Sequence, residues 1–159
     1  MVKTTQPDTV YVTYIATTPK RCWTALTQSK LTSQFFFGRT VESSWQKGSP
    51  WILRKPDGGA DVRGVVLESD PPNTLVLSWN IDWLDPKPPE CLVTYLIEPV
   101  GDEIVRLTMK ETHPTPVSEH LLEGGRRGWP MILSGLKSLL ETGQGLAIPT
   151  PSPPEEPTK

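Results

Sequence analysis

The sequence predicts a single α+β domain in which a curved antiparallel sheet of seven strands wraps a long C-terminal helix. Three observations carry this reading. One strand-like segment near the start leads into two short helices; turn chemistry then cuts residues 39–113 into six strand-length pieces; and near residue 118 the apolar spacing changes from alternating to helical.

The first element is Thr9 to Ala16, rich in β-branched and aromatic residues that alternate as a half-buried strand does. Thr18-Pro19 supplies an N-cap hydroxyl followed by a proline at the first helical position, where its missing N–H costs nothing, and Cys22, Trp23 and Leu26 follow on one face. Ser29 is placed to cap a second short helix from Lys30 to Phe35, stopped by Phe36-Phe37-Gly38. Turns at 47–50, 56–59, 70–73, 85–89 and 99–102 separate six strands: Arg39 to Trp45, Trp51 to Lys55, Asp61 to Ser69, Thr74 to Asn80, Cys91 to Glu98 and Glu103 to Thr112. Their short connections imply antiparallel neighbours.

From Ser118 to Thr142, Leu121, Leu122, Gly125, Trp129, Ile132, Leu133, Leu136, Leu139 and Leu140 recur at helical steps along one face. Gly143 closes this helix, and Pro130 is expected to bend it or to divide off a lead-in segment. Ala147 to Lys159 holds five prolines, two glutamates and no aromatic residue. The expected organisation is a domain over residues 8–146 and a disordered Pro-rich tail over 147–159.

Composition narrows the function classes. Lys and Arg total 16 against 18 Asp and Glu, a net charge of −2, so no field favours a nucleic acid partner. Nothing approaches the roughly 20 consecutive apolar residues of a membrane span. The first residues carry no apolar stretch of signal-peptide type, which leads to the expectation of a cytoplasmic protein whose Cys22 and Cys91 are free, buried thiols. His113 and His120 match no zinc spacing, no Gly-x-Ser-x-Gly elbow occurs, and Lys55-Pro-Asp-Gly-Gly59 reads as a hairpin turn. Neither a metal nor a cofactor is expected.

The element order resembles the helix-grip fold, the START/Bet v-like architecture. The likeness becomes specific at Ile15-Ala-Thr-Thr-Pro-Lys-Arg-Cys-Trp23-Thr-Ala-Leu26, which is similar to the opening of the START-like (SRPBCC) superfamily. Gly64-Val-Val-Leu-Glu-Ser-Asp-Pro-Pro72 with Leu75-Val-Leu-Ser-Trp79, and Gly128-Trp-Pro-Met-Ile-Leu-Ser-Gly-Leu-Lys-Ser-Leu-Leu-Glu-Thr-Gly143, resemble signatures of one branch, the activator of heat-shock-protein-90 ATPase homologues (AHSA-like). The resemblance spans about Val10 to Gly143. It implies a cavity between sheet and long helix that holds a lipid-like or aromatic molecule, catalysis in some members, and a chaperone as a possible protein partner.

Several side chains are candidates to line such a cavity. Leu75, Leu77 and Trp79 share one strand face, as do Val93, Tyr95 and Ile97. The ligand-binding candidates are Phe36, Trp51, Trp79, Tyr95, Met109, Glu111, Trp129 and Leu133; taken singly, each apolar member reads first as plain core. Glu111 shares a face with Val105, Leu107 and Met109, so it is either a carboxyl in apolar surroundings, suited to acid or base work, or a solvated or arginine-paired strand end. Arg54, Arg63, Arg126 and Arg127 are the candidate partners, and Gly124 to Trp129 is a candidate gate that binds an anionic group or simply a close-packing segment.

The reading is therefore a monomer or homodimer that binds a hydrophobic or aromatic small molecule. The alternatives are a chaperone-ATPase-activator-like interaction module, and a cyclase- or hydrolase-type enzyme using Glu111.

Overall fold

A computed structural model describes residues 9–81, 83–85 and 87–149. The chain runs β1 (Thr9–Ile15), α1 (Pro19–Thr27), α2 (Ser29–Phe35), β2 (Thr40–Ser43), β3 (Pro50–Arg54), β4 (Ala60–Asp70), β5 (Thr74–Ile81), β6 (Cys91–Gly101), β7 (Ile104–Thr112) and α3 (Glu119–Thr142). This is the predicted element order in a seven-stranded antiparallel sheet with a long C-terminal helix, the α+β helix-grip arrangement. Asp8 and residues 150–159, where the predicted domain starts and most of the predicted tail falls, lie outside the described residues.

The strand order is β1-β7-β6-β5-β4-β3-β2. The chain starts at one edge, crosses by α1 and α2 to the other edge at β2, and meanders back until β7 lies against β1. Register carries the inner face across the sheet. Tyr11 pairs with Met109, Met109 with Tyr95 and Tyr95 with Leu75, while Glu111 pairs with Val93, Val93 with Leu77 and Leu77 with Val66. All but Tyr11 in these two rows are buried. Each fully buried aliphatic side chain among them contributes roughly 1.5–3 kcal/mol by leaving water.

Helix ends follow local chemistry. Thr18 caps α1, its hydroxyl accepting from the Arg21 amide at 3.2 Å. Ser29 does not cap α2 as expected: it is the first helical residue, and the cap position belongs to Gln28, whose amide closes α1 on the Thr24 carbonyl while its own carbonyl accepts from Leu31 and Thr32. Gln28 is the single residue between the two helices and serves both ends. After α2 the chain turns through Phe37 and Gly38, both with positive φ, and delivers Arg39 toward β4. β2 stops at Ser43, two residues short of the expectation. Trp45 takes a positive φ, and its indole N–H donates to the Thr27 carbonyl at 2.9 Å.

Pro130 neither divides nor interrupts α3, which runs continuously from Glu119 to Thr142 between the Ser118 cap and Gly143 at φ 85°. The proline lies on the exposed face, where losing one backbone hydrogen bond costs least. All buried residues of α3 fall at or after Trp129. The second half of the helix is gripped by the sheet, and the first half projects over its open end.

Candidate functional site

At the open end, between β5, β6, β7 and the first half of α3, lies a cavity of about 440 Å³. Trp79 and Ile81 reach it from β5, Cys91 from β6, Glu111 from β7, and Leu121, Gly125 and Trp129 from α3. Trp83, Leu84, Pro88 and Pro89 of the β5–β6 connection close one side; Arg39, Arg127, His113 and His120 supply its cationic and titratable groups. Its size falls within the usual small-molecule range of about 300–1,000 Å³.

Trp79 and Trp129 form the floor. Their ring centroids are 5.5 Å apart, and beneath them Phe36 stacks on Trp79 at 6.4 Å and meets Trp129 edge-on at 5.6 Å. Trp51 lies 5.0 Å from Trp79, and Tyr95 lies 6.4 Å from Trp129. Below this cluster only about 20 Å³ of space remains, lined in part by Phe36, Trp51 and Tyr95. That is room for about one water. Burial pushes the Tyr95 phenol well above its ordinary range, with the Cys22 thiol adding to the shift.

Two close approaches of backbone build this geometry. Gly64 pairs with Trp51, and a Cβ there would fall 2.0 Å from the Ser78 carbonyl, the same oxygen that accepts the Trp51 indole N–H at 2.9 Å. Gly125 faces Glu111, and a Cβ there would stand 3.1 Å from Oε1 and 3.2 Å from Oε2. A bare helix backbone thus leaves space for a carboxylate at the end of β7.

Glu111 is buried, and its Oε2 accepts the Trp129 indole N–H at 3.0 Å. The Trp129 indole is thus one of the groups that hold this carboxyl group. Arg54 pairs with Glu42 at 2.9 Å, Arg126 with Glu119 at 3.1 Å, and Arg127 with Glu123 at 3.8 Å. Burial foremost, then the Glu111 carboxyl group, raises the pKa of Tyr11 on the neighbouring strand; Arg126 opposes and Glu123 adds.

The eight candidate side chains do not converge on one space. Trp79, Glu111 and Trp129 line the cavity; Phe36, Trp51 and Tyr95 pack beneath it; Met109 is fully buried. Leu133 lines a separate surface groove between β1 and α3. Sequence reasoning gives Arg39 and Asp61 no role beyond strand residues and counts Trp83 only within the aromatic set suited to a cavity wall. The Arg39 Nε–H donates to Asp61 Oδ2, and the Trp83 indole N–H donates to Asp61 Oδ1 at 2.5 Å. An acidic residue in a strand that is otherwise apolar inside was the available signal. Cys22 and Cys91 are both buried and in no disulfide, and burial pushes the Cys22 thiol up to about 12. Among the described residues no cluster of His, Cys, Asp or Glu has the arrangement to hold a metal, and no helix is long and apolar enough to cross a membrane.

Comparison with known proteins adds to this geometry. Residues 16–141 match the family described as activator of Hsp90 ATPase homolog 1-like protein. No curated protein matches the sequence. Among solved structures, protein MLL2253 from Mesorhizobium loti superposes with a TM-score of 0.69 at 24% identity, covering 83% of this chain and 96% of that one. CalU16 from Micromonospora echinospora gives 0.68 at 19% identity, covering 87% and 76%. PFC0360w, an HSP90 activator from Plasmodium falciparum, gives 0.69 at 18% identity, covering 85% and 96%. At these identities the structural likeness speaks for the fold.

Proposed function

The chain belongs to the activator of Hsp90 ATPase homolog 1-like family, and from that premise we propose that it binds an apolar, largely aromatic small molecule in the cavity at the open end of the sheet. The observation that carries the reading is a 440 Å³ space floored by two tryptophans and holding one buried carboxyl group. Ring faces give an apolar molecule a flat, desolvating surface, and a carboxylate gives a ligand hydroxyl or N–H an acceptor. The small space beneath the floor means that a ligand sits at the mouth rather than deep in the grip.

The test is native mass spectrometry of protein purified from its own host, before and after denaturation, joined to titration with the neutral dye phenylnaphthylamine. A retained apolar compound, or saturable dye binding lost in Leu121→Trp, is the expected result, since Leu121 lines the cavity and a bulkier ring fills it. No retained compound together with no dye binding would reject the reading.

A second reading, an interaction module for a chaperone, is favoured by the outer sheet face. Val10, Val12 and Tyr14 on β1 and Val65 and Leu67 on β4 are exposed there. Stimulation of a chaperone ATPase that persists in Leu121→Trp would support it.

A further inference from the structure

Arg39 sits at the rim of the cavity, held from behind. Its side chain is 17% exposed, its Nε–H donates to Asp61, and an Nη1–H donates to the Phe37 carbonyl at 3.3 Å. Asp61 is equally committed, since its second oxygen accepts the Trp83 indole N–H at 2.5 Å. Arg39 is among the described residues that line the cavity and Asp61 is not, so the ion pair stands at the edge of the space with its arginine on the cavity side. The second Nη1 hydrogen and the Nη2 pair find no acceptor among the described residues. Those hydrogens form the end-on fork that matches two oxygens of a planar or tetrahedral oxyanion.

The charges around the space agree. Among the described residues that line it, Arg39 and Arg127 are the cations and Glu111 the acid, with His113 and His120 beside them. Glu111 stands on β7 and Asp61 on β4, three strand positions apart, roughly 14 Å along the sheet at the usual strand spacing. Arg39 and Glu111 thus reach the cavity from different segments of the chain, and Trp79 and Trp129 line it with them.

We infer that the molecule this cavity takes is an acid, an aromatic or otherwise apolar body bearing one oxyanion, and that Arg39 is the residue that selects it. The inference rests on the binding reading above and adds the charge class of the ligand. Two hydrogen bonds from a partly desolvated guanidinium to an anion favour the acid over its neutral counterpart by roughly tenfold or more.

Two dyes that share an aromatic body and differ by one oxyanion decide it: anilinonaphthalene sulfonate and neutral phenylnaphthylamine, titrated by fluorescence against the whole chain. The wild-type protein binds the sulfonate at least roughly tenfold more tightly, and Leu121→Trp abolishes binding of both. Arg39→Met combined with Asp61→Asn removes the ion pair without stranding a buried carboxylate. It brings the sulfonate to the affinity that the same variant shows for the neutral dye. If that variant fails to unfold cooperatively, Arg39→Lys decides, because it keeps the charge, removes the fork, and lowers the preference for the sulfonate. Equal affinity for both dyes in the wild type, or a preference unmoved by the folded variant, overturns the acid-selecting role while the binding reading stands. Binding of neither dye overturns both.

Discussion

Gly125 seats Glu111, and the two residues make sense only together. A methyl group at Gly125 would press on both carboxylate oxygens, whereas one at Gly128, on the same helix, would meet nothing within 4 Å. Gly128→Ala therefore gains roughly 0.5–1 kcal/mol from helix propensity, read as a higher denaturant midpoint. Gly125→Ala gains none of it, because the carboxylate must shift away from the Trp129 indole. Equal stabilisation by both would mean that Glu111 moves aside without cost. Burial at Cys22 gives a second expectation. Its pKa rises from 9.0 to about 12, so the folded chain keeps a proton that the unfolded chain releases. The stability from this group is full below pH 9 and declines as the pH climbs toward 12, by about 1.4 kcal/mol per unit. Tyr95 and Tyr11 shift in the same direction but start from a higher ordinary value. Urea midpoints from pH 8 to pH 11 should show Cys22→Ala flattening the first part of the decline; an unchanged slope would assign it elsewhere.

At the scale of elements, α3 is two structures in one continuous helix. From Trp129 onward it buries one side chain after another, while residues 119–128 bury none and instead roof the cavity. Local opening costs least where the fewest apolar contacts must break. Hydrogen exchange should be faster at residues 123–128 than at 133–140, by roughly tenfold or more, and a bound dye should narrow the difference. Uniform protection along the helix would remove the gate suggested by Gly124 and Gly125. Pro130, expected to bend the helix or divide off a lead-in segment, marks the boundary within one continuous helix and lies on its exposed face.

Across the whole molecule the sheet separates two surfaces. Its inner face holds the aromatic floor, and its outer face presents Val10, Val12 and Tyr14 to solvent. Substitutions on one face should leave the other unchanged. Val12→Lys, at a side chain 52% exposed, should alter stability by no more than about 0.5 kcal/mol and leave dye affinity within about twofold, while weakening any chaperone contact made through that face. A loss of dye binding in this variant would couple the faces and merge the two functional readings.

Alternation, turn chemistry and the change to helical spacing at Ser118 are local properties, so the sequence by itself determined the element order, the antiparallel sheet and which side chains face inward. Trp79, Tyr95 and Glu111 could be assigned to the inner face by parity alone. Parity does not say whether a face is filled, because that depends on the summed volumes of side chains arriving from seven strands and three helices. Only tertiary structure decided that Phe36, Trp51 and Tyr95 fill space beneath the tryptophan floor while Trp79, Trp129 and Glu111 border a cavity. Arg39, Asp61 and Trp83 lie in three separate segments and carry no periodic signal. Curvature and register bring them together, and such long-range pairings cannot be read from neighbouring residues along the chain.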